Sequence, residues 1–238
     1  MFEACRGQAY PSPTPGDIAR KLFYPILRDT FEDEQTLVQQ SSENLRKVLN
    51  VATEAIVALC EKRDPYTAAH QRRVAQLACA IAREMGLPDK QVDGIRIIGV
   101  VHDIGKIAVP GEILSKPGKL SAEEFSIIKT HPQVAYDVLR KLEFPWPVDK
   151  AVLQHHERLD GSGYPDGLSG EGIILEARIL CVADVVESMV SHRPYRPALG
   201  TEKALNEILQ NRGVLYDPKV TDACSKISNN GGFKLERE

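Results

Sequence analysis

Apolar residues in this chain recur at steps of three and four and nowhere settle into strict alternation, a pattern that helices satisfy and strands do not. Val74, Leu77, Ala78, Ile81, Ala82 and Met85 form one stripe of a helix predicted from Thr67 to Met85, which Gly86 and Pro88 close. Val92, Ile95, Ile98 and Val101 form a second stripe, over Asp89 to His102. Ser121-Ala-Glu-Glu124 reads as a capping box, opening a helix that ends near His131 because Pro132 biases its predecessor away from helical geometry. Further helices are predicted over 132–142, from Val148 to the His155-His156-Glu157 run, and over 175–191, 201–211 and 218–228, with loops at 110–118 and 160–167. Upstream, Leu45, Val48, Leu49, Ala52, Ile56 and Leu59 predict one more, either the first helix of the domain or a dimerising signalling helix. The expected fold class is all-α. A linker or remnant (1–43, broken by Pro11, Pro13, Pro15 and Gly16) precedes a domain at 44–228, and 229–238 is a tail.

The polar residues that interrupt these stripes sit at helix starts, ends and boundaries. His102 and Asp103 are adjacent at the end of an apolar helix, with Gly105 and Lys106 just beyond. Side chains of neighbouring helical residues point about 100° apart, so one ion between them can take both. Asp184 lies among Ile179, Val182, Ala183, Val186, Met189 and Val190, where a carboxylate is costly unless it is paired or bound to a cation. Of six histidines, His70, His102, His131, His155 and His156 fall at such positions. Each has an ordinary structural explanation by itself, as a surface helix residue, a dipole partner or a polar terminus. Together they are explained by one mixed nitrogen and oxygen metal site.

Composition narrows the function. A net charge of −3 gives no basic field for duplex nucleic acid, so an anionic ligand would have to be held by local charges. The five cysteines form no Cys-x-x-Cys pair and read as small buried hydrophobes in a reducing compartment. With no basic-then-apolar amino terminus and no membrane-spanning apolar run, the expected location is cytoplasmic.

His102-Asp103, with His70 before it and Asp184 after it, resembles the H…HD…D pattern of the HD phosphohydrolase superfamily. His131, His155-His156-Glu157-Arg158, Asp160-Gly-Ser-Gly-Tyr-Pro165 and Arg193-Pro-Tyr-Arg196 extend the similarity to the HD-GYP family, which hydrolyses the bacterial second messenger cyclic di-GMP. The likeness runs from about 45 to 226 and implies an all-α HD-domain bundle with a binuclear metal site. It implies that His70, His102, Asp103 and Asp184 hold one metal, that His131, His155 and His156 hold a second, and that Asp103 bridges them. Two cations a few ångströms apart would bind the oxygens of a phosphodiester and acidify a bridging water into a nucleophile at neutral pH.

Lys106 would then offer positive charge to the developing phosphorane. Arg193 and Arg196 resemble residues that contact substrate phosphates, and guanidinium groups suit that geometry. Tyr164 would stack on a guanine, donate to a phosphate, anchor its loop or face a partner. Asp160 and Glu157 would order the loop or support the ligands. Some members carry a third-metal glutamate four residues before the first histidine; here that residue is Tyr66, so two metals are expected. Ala135, where many members have glycine, and Val101, where leucine is common, read as packing variants. Five imidazoles and two carboxylates suit Fe, Mn, Co, Ni or Zn, and the resemblance favours iron or manganese.

The expected activity is hydrolysis of cyclic di-GMP to linear pGpG, to GMP, or to both. A phosphohydrolase of another cyclic dinucleotide or nucleotide, and a catalytically quiet ligand-binding or protein-interaction module, remain open beside it. So do a diguanylate cyclase (GGDEF-type) or sensory partner and a homodimer.

Overall fold

The computed structural model describes residues 65–192 and 197–229, together with scattered helical positions between 36 and 55. The chain divides into two units, Met1–Val51 and Ala52–Glu238. In the first unit residues 36–41 are helical, and Leu37 and Val38 on that turn are exposed. Leu45, Leu49, Ala52, Ile56 and Leu59, which carried the upstream helix prediction, lie outside the described residues, as do Arg63 and Asp64, the side chain of Tyr66, and the tail beyond Asn229.

The described residues of the second unit form helices joined by turns and loops. Its elements are α1 (Pro65–Glu84), α2 (Asp89–Val101), a 3-10 turn (Ile104–Ala108), α3 (Gly111–Leu114), α4 (Ala122–Ile128), α5 (His131–Leu139), α6 (Val148–Gln154), a 3-10 turn (Gly170–Gly172), α7 (Leu175–Val190), α8 (Thr201–Gln210) and α9 (Pro218–Asn229). Among the described residues there is no strand; Asp160 with Ser169 and Arg212 with Tyr216 make isolated bridges. The helices predicted from Thr67 onward are present, with ends shifted by up to three residues. Three short elements occupy stretches not read as helix: α3, inside the expected 110–118 loop, the 3-10 turn that follows His102-Asp103, and the 3-10 turn Gly170–Gly172.

Helix α7 is the central member. Ala177, Ile179, Leu180, Cys181, Val182, Ala183 and Val186 are buried on more than one face, and α1, α2, α6, α8 and α9 pack around it. A helix apolar on most sides belongs inside a bundle. The α1 stripe Val74, Leu77, Ala78, Ile81 and Ala82 is buried, and a Schellman motif stops it: Leu87 N–H donates to Ala82 O (3.0 Å) and Gly86 N–H to Arg83 O (2.9 Å), with Gly86 at φ 76°. The backbones of α1 and α2 approach so closely that a Cβ on Gly99 would lie 2.6 Å from Ala75 Cα. Ser121 caps α4 as predicted, with Glu124 N–H donating to its hydroxyl (3.2 Å) and Ser121 N–H donating to the Glu124 carboxylate (2.7 Å). His131 opens α5 rather than closing α4, with Pro132 in the first turn, where a missing N–H costs nothing.

Candidate metal centre

Five elements meet at one place. α1 supplies His70, the end of α2 supplies His102 and Asp103, the start of α5 supplies His131, the end of α6 supplies His155 and His156, and the middle of α7 supplies Asp184. His70, His102, Asp103, His131 and His155 are buried. Their donor atoms fall into three overlapping groups, each within 4.8 Å: His131, His155 and His156; His70, His102 and Asp184; and His102, Asp103 and His155. The third group joins the other two. Asp103 reaches both sides, with Oδ1 3.3 Å from His131 Nε2 and Oδ2 3.5 Å from His102 Nε2 and 3.9 Å from His70 Nε2.

The ring orientations identify what the centre is built to hold. His102 Nδ1 lies 2.7 Å from Gly99 O, His131 Nδ1 2.8 Å from Ile128 O, and His155 Nδ1 2.6 Å from Val152 O. A carbonyl only accepts, so each Nδ1 carries a proton, and in the neutral ring each Nε2 presents a lone pair. His131 and His155 therefore aim lone pairs at each other across 3.4 Å. His102 Nε2 is buried with no hydrogen-bond partner among the described residues. His70 Nε2 stands 3.0 Å from Asp184 Oδ1 although its Nδ1 already meets Glu187, so a second proton or a cation must lie between them. Converging lone pairs and carboxylates in a buried volume are a donor set that fits divalent metal ions.

Titration behaviour agrees. Burial pushes His131 down to about 4, against the pull of Asp103, and His155 down to about 3, with His102 and His131 adding to the effect. Burial likewise lowers His102 and His156, so at neutral pH these rings keep the lone pair a metal needs. Burial opposes the charged form of Asp103, yet Lys106, then His102, His131 and His70, hold it well below the usual carboxylate range. Asp184 is held low in the same way, chiefly by His70.

The other predicted site residues divide. Lys106 Nζ donates to Asp103 Oδ2 at 2.6 Å and keeps 22% of its side chain exposed, so a fixed cation touches both the cluster and solvent. Tyr164 lies with its ring centroid 4.7 Å from that of His156, at an interplanar angle of 33°, and Lys129 Nζ is 5.0 Å from the tyrosine centroid. Its ring packs against a candidate ligand and anchors the loop. Glu157 orders that loop, its carboxylate accepting from the backbone N–H groups of Asp166 (2.8 Å) and Leu168 (3.0 Å), and Asp160 Oδ1 accepts from Ser162 N–H (2.9 Å) and its hydroxyl (2.7 Å). Gly163 must be glycine because a Cβ there would sit 2.4 Å from Glu157 Cα. Arg193 and Arg196 lie outside the described residues.

Sequence reasoning missed Glu187, a wholly buried carboxylate whose Oε2 meets His70 Nδ1 and whose Oε1 accepts from Arg73 Nε (2.6 Å) and the Ser191 hydroxyl (2.5 Å). The available signal was its spacing: it lies three residues after Asp184 on the same largely apolar helix, on the same face.

The geometry describes a helical domain whose clustered imidazoles and carboxylates could hold metal ions, and the match of residues 54–220 to the HD domain model makes this chain a member of the HD domain family. Over 188 residues it is 41% identical to a cyclic di-GMP phosphodiesterase response regulator of Xanthomonas campestris, covering 78% of this chain and 49% of that protein. Over 171 residues it is 36% identical to a 3'3'-cGAMP-specific phosphodiesterase of Vibrio cholerae, covering 72% of this chain and 37% of that protein. The chain thus spans half or less of the length of these relatives. Among solved structures, an HDG"Y"P protein from Bdellovibrio bacteriovorus shares the fold, with a TM-score of 0.59 at 17% identity, over 77% of this chain and 64% of that one. These relatives, with the Gly163-Tyr164-Pro165 turn folded against His156, bear out the resemblance to HD-GYP proteins.

Proposed function

We propose that this chain is a metal-dependent phosphodiesterase that hydrolyses cyclic di-GMP to linear pGpG, to GMP, or to both. The observation that carries the reading is the pair of donor groups, His70-His102-Asp184 and His131-His155-His156, joined through the Asp103 carboxylate. That layout suits two divalent ions, with iron or manganese matching the imidazole-rich, thiolate-free set. When bound, such ions supply Lewis acidity toward phosphate oxygens and lower the pKa of a coordinated water.

The protein's own contribution is positional. Carbonyls at the ends of α2, α4 and α6 fix the tautomers of His102, His131 and His155, so donor atoms need no reorganisation. Among the described residues Lys106 is the cationic side chain paired with Asp103, and its partial exposure supports a role in meeting an incoming phosphate. The loop anchored by Tyr164 and Glu157 walls the His156 side. Arg193 and Arg196 enter this reading as phosphate contacts on the family resemblance alone.

The test is to purify the protein anaerobically, count its metals and assay cyclic di-GMP in the same sample. About two iron or manganese ions with turnover support the reading. Two metals without turnover of cyclic di-GMP refute the substrate, and the named specificity of the Vibrio cholerae relative makes 3'3'-cGAMP the next dinucleotide to try. A diguanylate cyclase partner and a homodimer belong to the same reading; pull-down with a GGDEF protein and size-exclusion chromatography test them.

A further inference from the structure

The site imidazoles are not all held alike. His102, His131 and His155 lean on neutral carbonyls three residues back. His70 lies inside α1, where the backbone carbonyls serve the helix itself, and its Nδ1 meets a carboxylate from another element, Glu187 on α7. Two i, i+3 pairs face each other across the α1–α7 contact: His70 and Arg73 on one helix, Asp184 and Glu187 on the other. Glu187 is wholly buried, and Arg73 with the Ser191 hydroxyl occupies its second oxygen, leaving Oε2 directed at His70. A buried carboxylate is expensive to desolvate, so its orientation is fixed by this many donors only where the surroundings are built for it.

We propose that Glu187 is a positioning residue that makes the two metal subsites unequal: by accepting the Nδ1 proton of His70 it raises the basicity of Nε2 and renders the His70-His102-Asp184 subsite the tighter of the two. The inference rests on the two-metal reading above. A charged acceptor draws the imidazole proton more strongly than a neutral carbonyl does and passes the electron density to the opposite nitrogen. The second subsite has carbonyl-supported rings at His131 and His155 in that place.

The probe is manganese(II) alone, titrated into chelator-treated full chain and followed by calorimetry. Wild-type protein is expected to take two ions in unequal steps, and Glu187→Gln, an isosteric change, to weaken one step roughly 10–100-fold while leaving the other unchanged. A double-mutant cycle assigns the step. The effect of Glu187→Gln should persist in a His156→Ala background, which impairs the second subsite, and vanish in an Asp184→Ala background, which impairs the first. No weakening, equal weakening of both steps, or an effect that survives Asp184→Ala overturns the inference while leaving the phosphodiesterase reading intact. A wild-type chain that takes up neither manganese(II) nor, anaerobically, iron(II) overturns both. Should Glu187→Gln fail to fold, Ser191→Ala reads the same quantity: a smaller loss confined to the tighter step supports the proposal, and no loss defeats it.

Discussion

Asp103 is the residue on which both halves of the centre depend, one oxygen facing His131 and the other facing His102 and His70. Asp103→Ala should strip both ions and abolish turnover; wild-type rate at full metal content would refute the shared site. Lys106 touches Asp103 Oδ2 but supplies no donor group to a metal, so Lys106→Ala should leave metal content intact while lowering kcat by about 10²–10³, as for other electrostatic stabilisers. Parallel loss of metal would move the lysine to a structural role. These residues were legible because chemistry concentrates there: five histidines and Asp103 fall at or near the ends of apolar stripes, and Asp184 interrupts one. Glu187 was not legible, because a single glutamate among apolar neighbours reads as a solvated helix position until α1 is seen to bring Arg73 and His70 against it.

The junction between the 3-10 turn and α5 depends on Gly105. A Cβ at that position would lie 1.9 Å from His131 O and 2.8 Å from Ala135 N, both backbone atoms that cannot rotate away. Gly105→Ala should therefore push α5 off the turn, destabilise the fold by about 1–3 kcal/mol and weaken the His131 subsite first; thermal melting and manganese stoichiometry read both effects. The buried Ala135 extends the same contact. The 160–168 loop depends on Glu157 in a comparable way. Glu157→Ala leaves the N–H groups of Asp166 and Leu168 without their acceptor, at about 1–3 kcal/mol for each one kept from water, and should open the loop to limited proteolysis without unfolding the bundle. An unchanged cleavage pattern would show that the glycines and proline alone hold it. The long helices were legible from periodicity and caps because each offers several turns of signal. α3 and the 3-10 turn offer four and five residues, too few for a stripe, and their form is set by the neighbours they touch.

In the bundle considered entire, the polar centre lies among the helices that also bury the apolar core, so titration and folding are linked. Unfolded chains protonate histidine near pH 6.5, whereas burial delays His131 to about 4 and His155 to about 3. Between those values the unfolded state binds more protons, and stability falls as pH falls. The depressed Asp103, Asp184 and Glu187 contribute with the same sign in a lower window, since their stabilisation is lost as pH drops through their folded-state values. Metal-free protein should accordingly lose denaturant midpoint between about pH 7 and about pH 5, and a midpoint that rose on acidification would contradict the burial of these rings. Metal acts in the opposite direction. An ion that binds the folded chain alone stabilises it by about 2.7 kcal/mol at a hundredfold excess over Kd, so manganese should raise Tm and a chelator should lower it. Lone pairs converge where five elements pack, with His102 Nε2 buried among them, so an ion bound there would tie the order of the core to its own supply. Metal scarcity would then reach this protein through its lifetime as well as its activity: a starved cell would hold fewer surviving copies, cleared by proteolysis, instead of a standing pool of idle enzyme awaiting its ions.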